Sequence, residues 1–128
     1  MQPLHTFSII YNTVKKILLP VILCFNHSLY SQVTDSSFIE SIYTAGWQLI
    51  HTNTDSAAIL FKKAKKESDS QQYFPGLIMY YNYNAALQIA LNHNEKAFEY
   101  YDEAIAIAKS KKLATDLGLT YMKKGTLS

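Results

Sequence analysis

Residues 38–70 of this chain reappear, altered but in register, at 78–110, an offset of forty residues. Tyr43 meets Tyr83, Ala45 meets Ala85 and Gln48 meets Gln88. Further on, Ala57 meets Ala97, Ala64 meets Ala104 and Ser70 meets Ser110. Conservative pairs fill the gaps: Trp47 with Leu87, Leu49 with Ile89, Asp55 with Glu95, Phe61 with Tyr101. Self-similarity at a period of roughly 20–50 residues marks stacked supersecondary units, none of which buries its apolar face alone. This register constrains the fold more than any bulk property, because each unit must present a face that its neighbour covers.

Each unit reads as two helices. Apolar residues at 38, 39, 42, 45, 46, 49 and 50 have helical spacing and predict a helix over 38–51. Thr52-Asn-Thr-Asp55 breaks the pattern and offers capping oxygens to a second helix over 56–67, with buried stripe Ala57, Leu60, Phe61 and Ala64. Lys62, Lys63, Lys65 and Lys66 flank that stripe and read as a solvated face. Ser68 to Phe74 is the longest expected connection, and Pro75 suits the first turn of a helix over 75–91, where its missing N–H is no loss. A turn at Asn92-His-Asn-Glu95 leads to a helix over 95–109, with stripe Ala97, Tyr100, Tyr101, Ala104, Ile107 and Ala108. A fifth helix over 113–124 is expected to end at Gly125.

These positions carry a family likeness. Ala45, Ala57, Phe61 and Ala64 in the first unit, and Ala85, Ala97, Tyr101 and Ala104 in the second, resemble the tetratricopeptide repeat (TPR) pattern. In that pattern a small residue in the first helix is followed, in the second, by an Ala, an aromatic four on and an Ala three further. Leu117-Gly118, Tyr121 and Gly125 fit the first helix of a third unit. Trp47 falls later than the family's usual Trp, the closing Pro is absent, and forty exceeds the usual spacing, which implies longer helices or a longer join. Armadillo and HEAT repeats are the alternative architecture. The resemblance implies an all-α fold: an α-solenoid of antiparallel helical hairpins, about two and a half TPR-like repeats over 38–128. It also implies a groove formed by first helices. Carried onto this chain, its residues are Ile42, Gly46 and Leu49, then Asn82, Ala86 and Ile89, then Thr115, Leu119 and Met122. Each triplet has i, i+4, i+7 spacing and lies on one helix face.

Residues 1–31 read as an address. Lys15-Lys16 precede the apolar run 17–25, and small or polar residues follow to a candidate cut after Ser31, the pattern of a secretory signal. An uncleaved anchor is the alternative, although Pro20, Asn26 and His27 interrupt the roughly 20 apolar residues that a span requires. A lipidated Cys24 is a third, set against Leu23 where a small residue is required. Residues 32–37 read as a linker. Cys24 is the only cysteine, so a chain cut after Ser31 has no disulfide and no thiol nucleophile.

Charge and motifs narrow the function. All basic residues are Lys, and Lys15 and Lys16 account for the net charge of +2; residues 32–128 carry ten Lys against ten acids. A neutral body without Arg argues against nucleic acid as a partner. His51 and His93 sit at equivalent turns, but no third ligand accompanies them, so no metal is expected. Asp102 and Glu103 are adjacent, about 100° apart on a helix, and do not face each other as an acid/base pair. No Gly-rich phosphate loop or nucleophile elbow is present, and neither catalytic residues nor a cofactor are expected. Tyr80, Tyr81, Tyr83, Tyr100 and Tyr101 read mainly as packing between hairpins. The expectation is a non-catalytic, exported (periplasmic or secreted) module that binds a protein or peptide. Contact with a membrane would come only through the N-terminal segment. The alternative is the extracytoplasmic sensory segment of a signalling protein, such as a bacterial sensor histidine kinase or a repeat-containing transcriptional regulator.

Overall fold

The described residues of this computed structural model are Ser36–Ser128 together with Asn12 and Lys16, and five helices make up most of residues 36–128. Helix α1 covers residues 36–49, and α2 (Thr54–Ser70), α3 (Phe74–Ala90), α4 (Asn94–Ser110) and α5 (Ala114–Leu127) follow. No strand occurs among the described residues, so the fold is all-α there. The rest of the expected signal segment 1–31, its cut after Ser31, Cys24 and linker residues 32–35 lie outside them. Ser36 and Ser37, the end of the expected linker, are already helical.

From α2 onward the chain keeps a strict beat. Helices begin at Thr54, Phe74, Asn94 and Ala114, and every join between them is three residues long. At each of these joins one residue takes the left-handed conformation: Gln72 at φ 52°, Asn92 at φ 61° and Lys112 at φ 56°. The following N–H then reaches back over the helix end, Tyr73 to the Ser68 carbonyl at 2.9 Å, His93 to Gln88 at 2.8 Å and Leu113 to Ala108 at 2.9 Å. This is the helix stop usually built on glycine. Here it is made by Gln, Asn and Lys, so no sequence signal marks two of the three. The forty-residue period thus comes from two 17-residue helices with short joins. The long connection expected over Ser68 to Phe74 is not there: α2 runs on to Ser70 and α3 starts at Phe74. Gly125 does not end α5, which continues to Leu127.

The turn between α1 and α2 breaks the beat. It holds four residues, 50–53, with the Asn53 N–H bonded to the Leu49 carbonyl at 2.8 Å. Asn53 then caps α2, its side chain accepting from the Ser56 N–H at 3.0 Å. The buried face of α1 nevertheless matches that of α3 one position off the forty-residue register: Ile39 corresponds to Ile78 and Gly46 to Ala85, an offset of thirty-nine. Ala45, expected as the small contact residue, is exposed; Gly46 is buried in its place, with Phe61 against it.

Each of α2 to α5 packs on the next in sequence, and α3 also touches α5. One core cluster joins Ile39, Ile42 and Tyr43 of α1 and Ile50 of the turn after it to Ala57, Phe61 and Ala64 of α2 and Leu87 of α3. A second holds Ile78, Ala104 and Ala108, and a third Ala85, Ala97 and Tyr101. The alanines are wholly buried because their single methyl lets helix backbones approach. Aromatic rings fill what remains: Tyr83 stacks on Tyr43 and on Phe61, each at 5.3 Å between centroids. Each fully buried large side chain, Phe61 or Ile39 for example, contributes about 1.5–3 kcal/mol. Tyr43 closes the seam between α1 and α3 by donating its hydroxyl to the Gly76 carbonyl at 2.8 Å.

Candidate functional site

The candidate site is a cavity of about 650 Å³ between α1, α3, α4 and α5. Its walls are mostly apolar. Trp47 and Ile50 come from α1 and its turn, Tyr83, Ala86 and Ile89 from α3, and Tyr101 from α4. The Trp47 and Tyr83 rings lie 5.9 Å apart at 56°, a tilted pair. Trp47 is 48% exposed.

Three polar groups interrupt this lining: His51, Asn82 and Lys123. Asn82 is 8% exposed and tied by a short chain of hydrogen bonds. Its amide donates to Thr120 Oγ1 at 3.0 Å, and the Thr120 hydroxyl donates to the Asp116 carbonyl at 2.9 Å. Since that hydroxyl spends its proton on Asp116, its oxygen must accept from Asn82, which fixes the amide's orientation. The other end, Asn82 Oδ1, is shut off from solvent and has no hydrogen-bond partner among the described residues, a costly arrangement for a carbonyl.

Lys123 extends from α5 with its ammonium 5.8 Å from the centre of the Tyr83 ring. The two ion pairs among the described residues are Lys65 with Asp69 and Lys124 with Asp102, so Lys123 has no carboxylate partner there. Loss of hydration around it pushes its pKa below the ordinary lysine value. Tyr83 and Tyr101 are shifted the other way, burial raising both.

Of the residues that the resemblance placed in a groove, Asn82, Ala86 and Ile89 line this cavity. Ile42 and Gly46 do not: both are buried, Ile42 in the core and Gly46 against Phe61. Leu49 is half-buried against the same core. Thr115, Leu119 and Met122 are exposed on α5, away from the lining. In both outer helices the lining falls one residue later, at Trp47 and Ile50 and at Lys123. The pairing of Gly46 rather than Ala45 with a close backbone approach was the available signal. For Lys123 the sequence held no signal, because only the side-by-side contact of α3 and α5 brings it to Tyr83.

The other expected features are placed as follows. His51 is on the cavity wall, while His93 sits at the α3–α4 turn with Nδ1 3.2 Å from Gln88 Oε1. Among the described residues no group of three or more His, Cys, Asp or Glu is placed to hold a metal ion. Among them, too, no helix is long and apolar enough to cross a membrane. No family model matches the chain, and no curated protein or solved structure matches it either.

Proposed function

We propose that Ser36–Ser128 is a TPR-like helical repeat module, an α-solenoid of antiparallel hairpins that binds a protein or peptide segment through the cavity. The observation that carries this reading is the cavity itself: an open, aromatic-walled cleft among helices α1, α3 and α5, with Trp47 left half exposed. Clefts of roughly 300–1,000 Å³ with apolar walls and a few polar groups are the usual form of a binding site. Tyr and Trp are also the side chains that most often anchor a partner. The small residues Ala57, Ala64, Ala97 and Ala104 and the aromatics Phe61 and Tyr101, all buried at helix contacts, support the repeat architecture. The proposed export rests on Lys15, Lys16 and the apolar run that follows them. An intact mass beginning at Gln32 in an exported cell fraction tests that part.

Trp47 is the only tryptophan and stands on the cavity wall, so it is a built-in reporter. The test is selection of peptides from a displayed library against the full chain, followed by titration with Trp47 fluorescence. Cavity binders should shift that emission and lose affinity in Trp47→Ala. They should keep it in Ile59→Ala, a change at a 67% exposed residue of α2 outside the cavity. Selection of no peptide, or of peptides indifferent to Trp47→Ala, removes the reading.

A further inference from the structure

We infer that the cavity is a receptor site for a small aromatic monocarboxylate, a ring seated against Trp47 and Tyr83 with its carboxylate on Lys123. The inference rests on the same cavity as the peptide-binding reading, and the experiment below separates the two.

The volume is right for a small organic ligand: about 650 Å³, within the range that encloses one. Its walls select for a flat apolar body. Trp47 and Tyr83 both line it, at 56° with centroids 5.9 Å apart; Tyr83 is backed by Tyr43 and Phe61, Trp47 is half exposed, and Ala86 and Ile89 supply methyl surface.

The sign of the ligand's charge follows from Lys123. Its ammonium lies over the Tyr83 ring rather than beside an acid. The neighbouring cation, Lys124, has taken the nearby carboxylate: its Nζ is 2.5 Å from Asp102 Oδ1. Lys123 is thus an exposed cation at the edge of a largely apolar cavity, with no carboxylate partner among the described residues. An anion seated in the cavity would meet this ammonium as a counter-charge; a neutral ligand would not, and a cation would be repelled. One ammonium matches one negative charge. The chain contains no Arg, so it lacks the planar fork that favours phosphate, and a monocarboxylate fits better than a phosphate ester.

The experiment is calorimetric titration of the full chain with naphthalene-2-carboxylate and with its neutral isostere naphthalene-2-carboxamide. The carboxylate should bind on the order of tenfold more tightly, the usual advantage of a charge-assisted contact over a neutral one. In Lys123→Met that advantage should vanish, the carboxylate falling to the level of the amide while the amide is unchanged. Lys124→Met should leave the ratio alone, and Trp47→Ala should weaken both ligands together. Circular dichroism melts of each variant establish that it is folded before titration. Equal affinity for acid and amide, or an acid preference that survives Lys123→Met, overturns the inference and leaves the peptide reading standing on its own selection experiment. Failure of both naphthalene ligands to bind also overturns it. Peptides that engage Trp47 while the carboxylate does not would place the error in the ligand class and not in the site.

Discussion

Glycine at position 46 tests the packing logic most directly. A Cβ added there would lie 2.5 Å from Phe61 Cε1, 2.9 Å from Cδ1 and 3.3 Å from Cζ. Comfortable carbon contacts are about 3.5–4.0 Å, so the overlap is about 1 Å. Phe61 has no room to withdraw: it is fully buried, with Tyr83 stacked on it at 5.3 Å and Tyr43 at 6.1 Å. Overpacking of this kind costs about 1–3 kcal/mol. Against it stands the helix preference for Ala over Gly, about 1 kcal/mol. The overlap lies at the severe end, so Gly46→Ala should lose a net 1–2 kcal/mol or so. The chain carries its own control, because a Cβ at Gly118 meets nothing within 4 Å. Gly118→Ala should therefore gain up to about 1 kcal/mol by the same propensity term. Urea unfolding followed by helical circular dichroism and by Trp47 fluorescence measures both. Opposite signs are expected. If Gly46→Ala is stabilised as much as Gly118→Ala, Gly46 does not face Phe61, and the one-residue slip of α1 is mistaken.

Four further outcomes follow from the same geometry. Tyr43 is held well above the usual phenol range, chiefly by burial, so the folded state keeps a proton that the unfolded chain releases above pH 10. Its contribution is complete below that pH and is lost as pH rises, at about 1.4 kcal/mol per pH unit per group; Tyr43→Phe should flatten the alkaline limb of a stability-against-pH curve by about that slope. Lys123 works in the opposite sense, its lowered pKa making stability rise as pH approaches the ordinary lysine value, so Lys123→Met should weaken the rise just below it. At the left-handed positions, Gln72→Gly and Lys112→Gly should each raise stability by about 0.5–1 kcal/mol in thermal melts, and Asn92→Gly by less, since Asn tolerates that conformation. Breaking the exposed Lys124–Asp102 pair with Asp102→Asn should cost only about 0.2–1 kcal/mol, and the difference should shrink in high salt.

The amino-acid sequence by itself determined where the helices lie and which face most of them bury. Ala57, Phe61 and Ala64, then Ala97, Tyr101 and Ala104, announce their helical spacing, and all six are buried. That information is local: a 3.6-residue periodicity needs no knowledge of what covers the stripe. The helix ends were less legible. Two of the three left-handed stops use Gln and Lys, whose adoption of that conformation is decided by the bond back across the helix end and by the packing of the next helix. Only the tertiary structure decided the cavity. The buried face of α1 is turned by one residue, about 100°, from the forty-residue register, so that Ile42 and Gly46 are buried and Trp47 reaches the lining. Lys123 meets Tyr83 because α5 comes to lie beside α3, a contact between residues forty apart that no local pattern encodes. Periodicity says which residues share a face; the rigid-body placement of one helix against another says what that face meets.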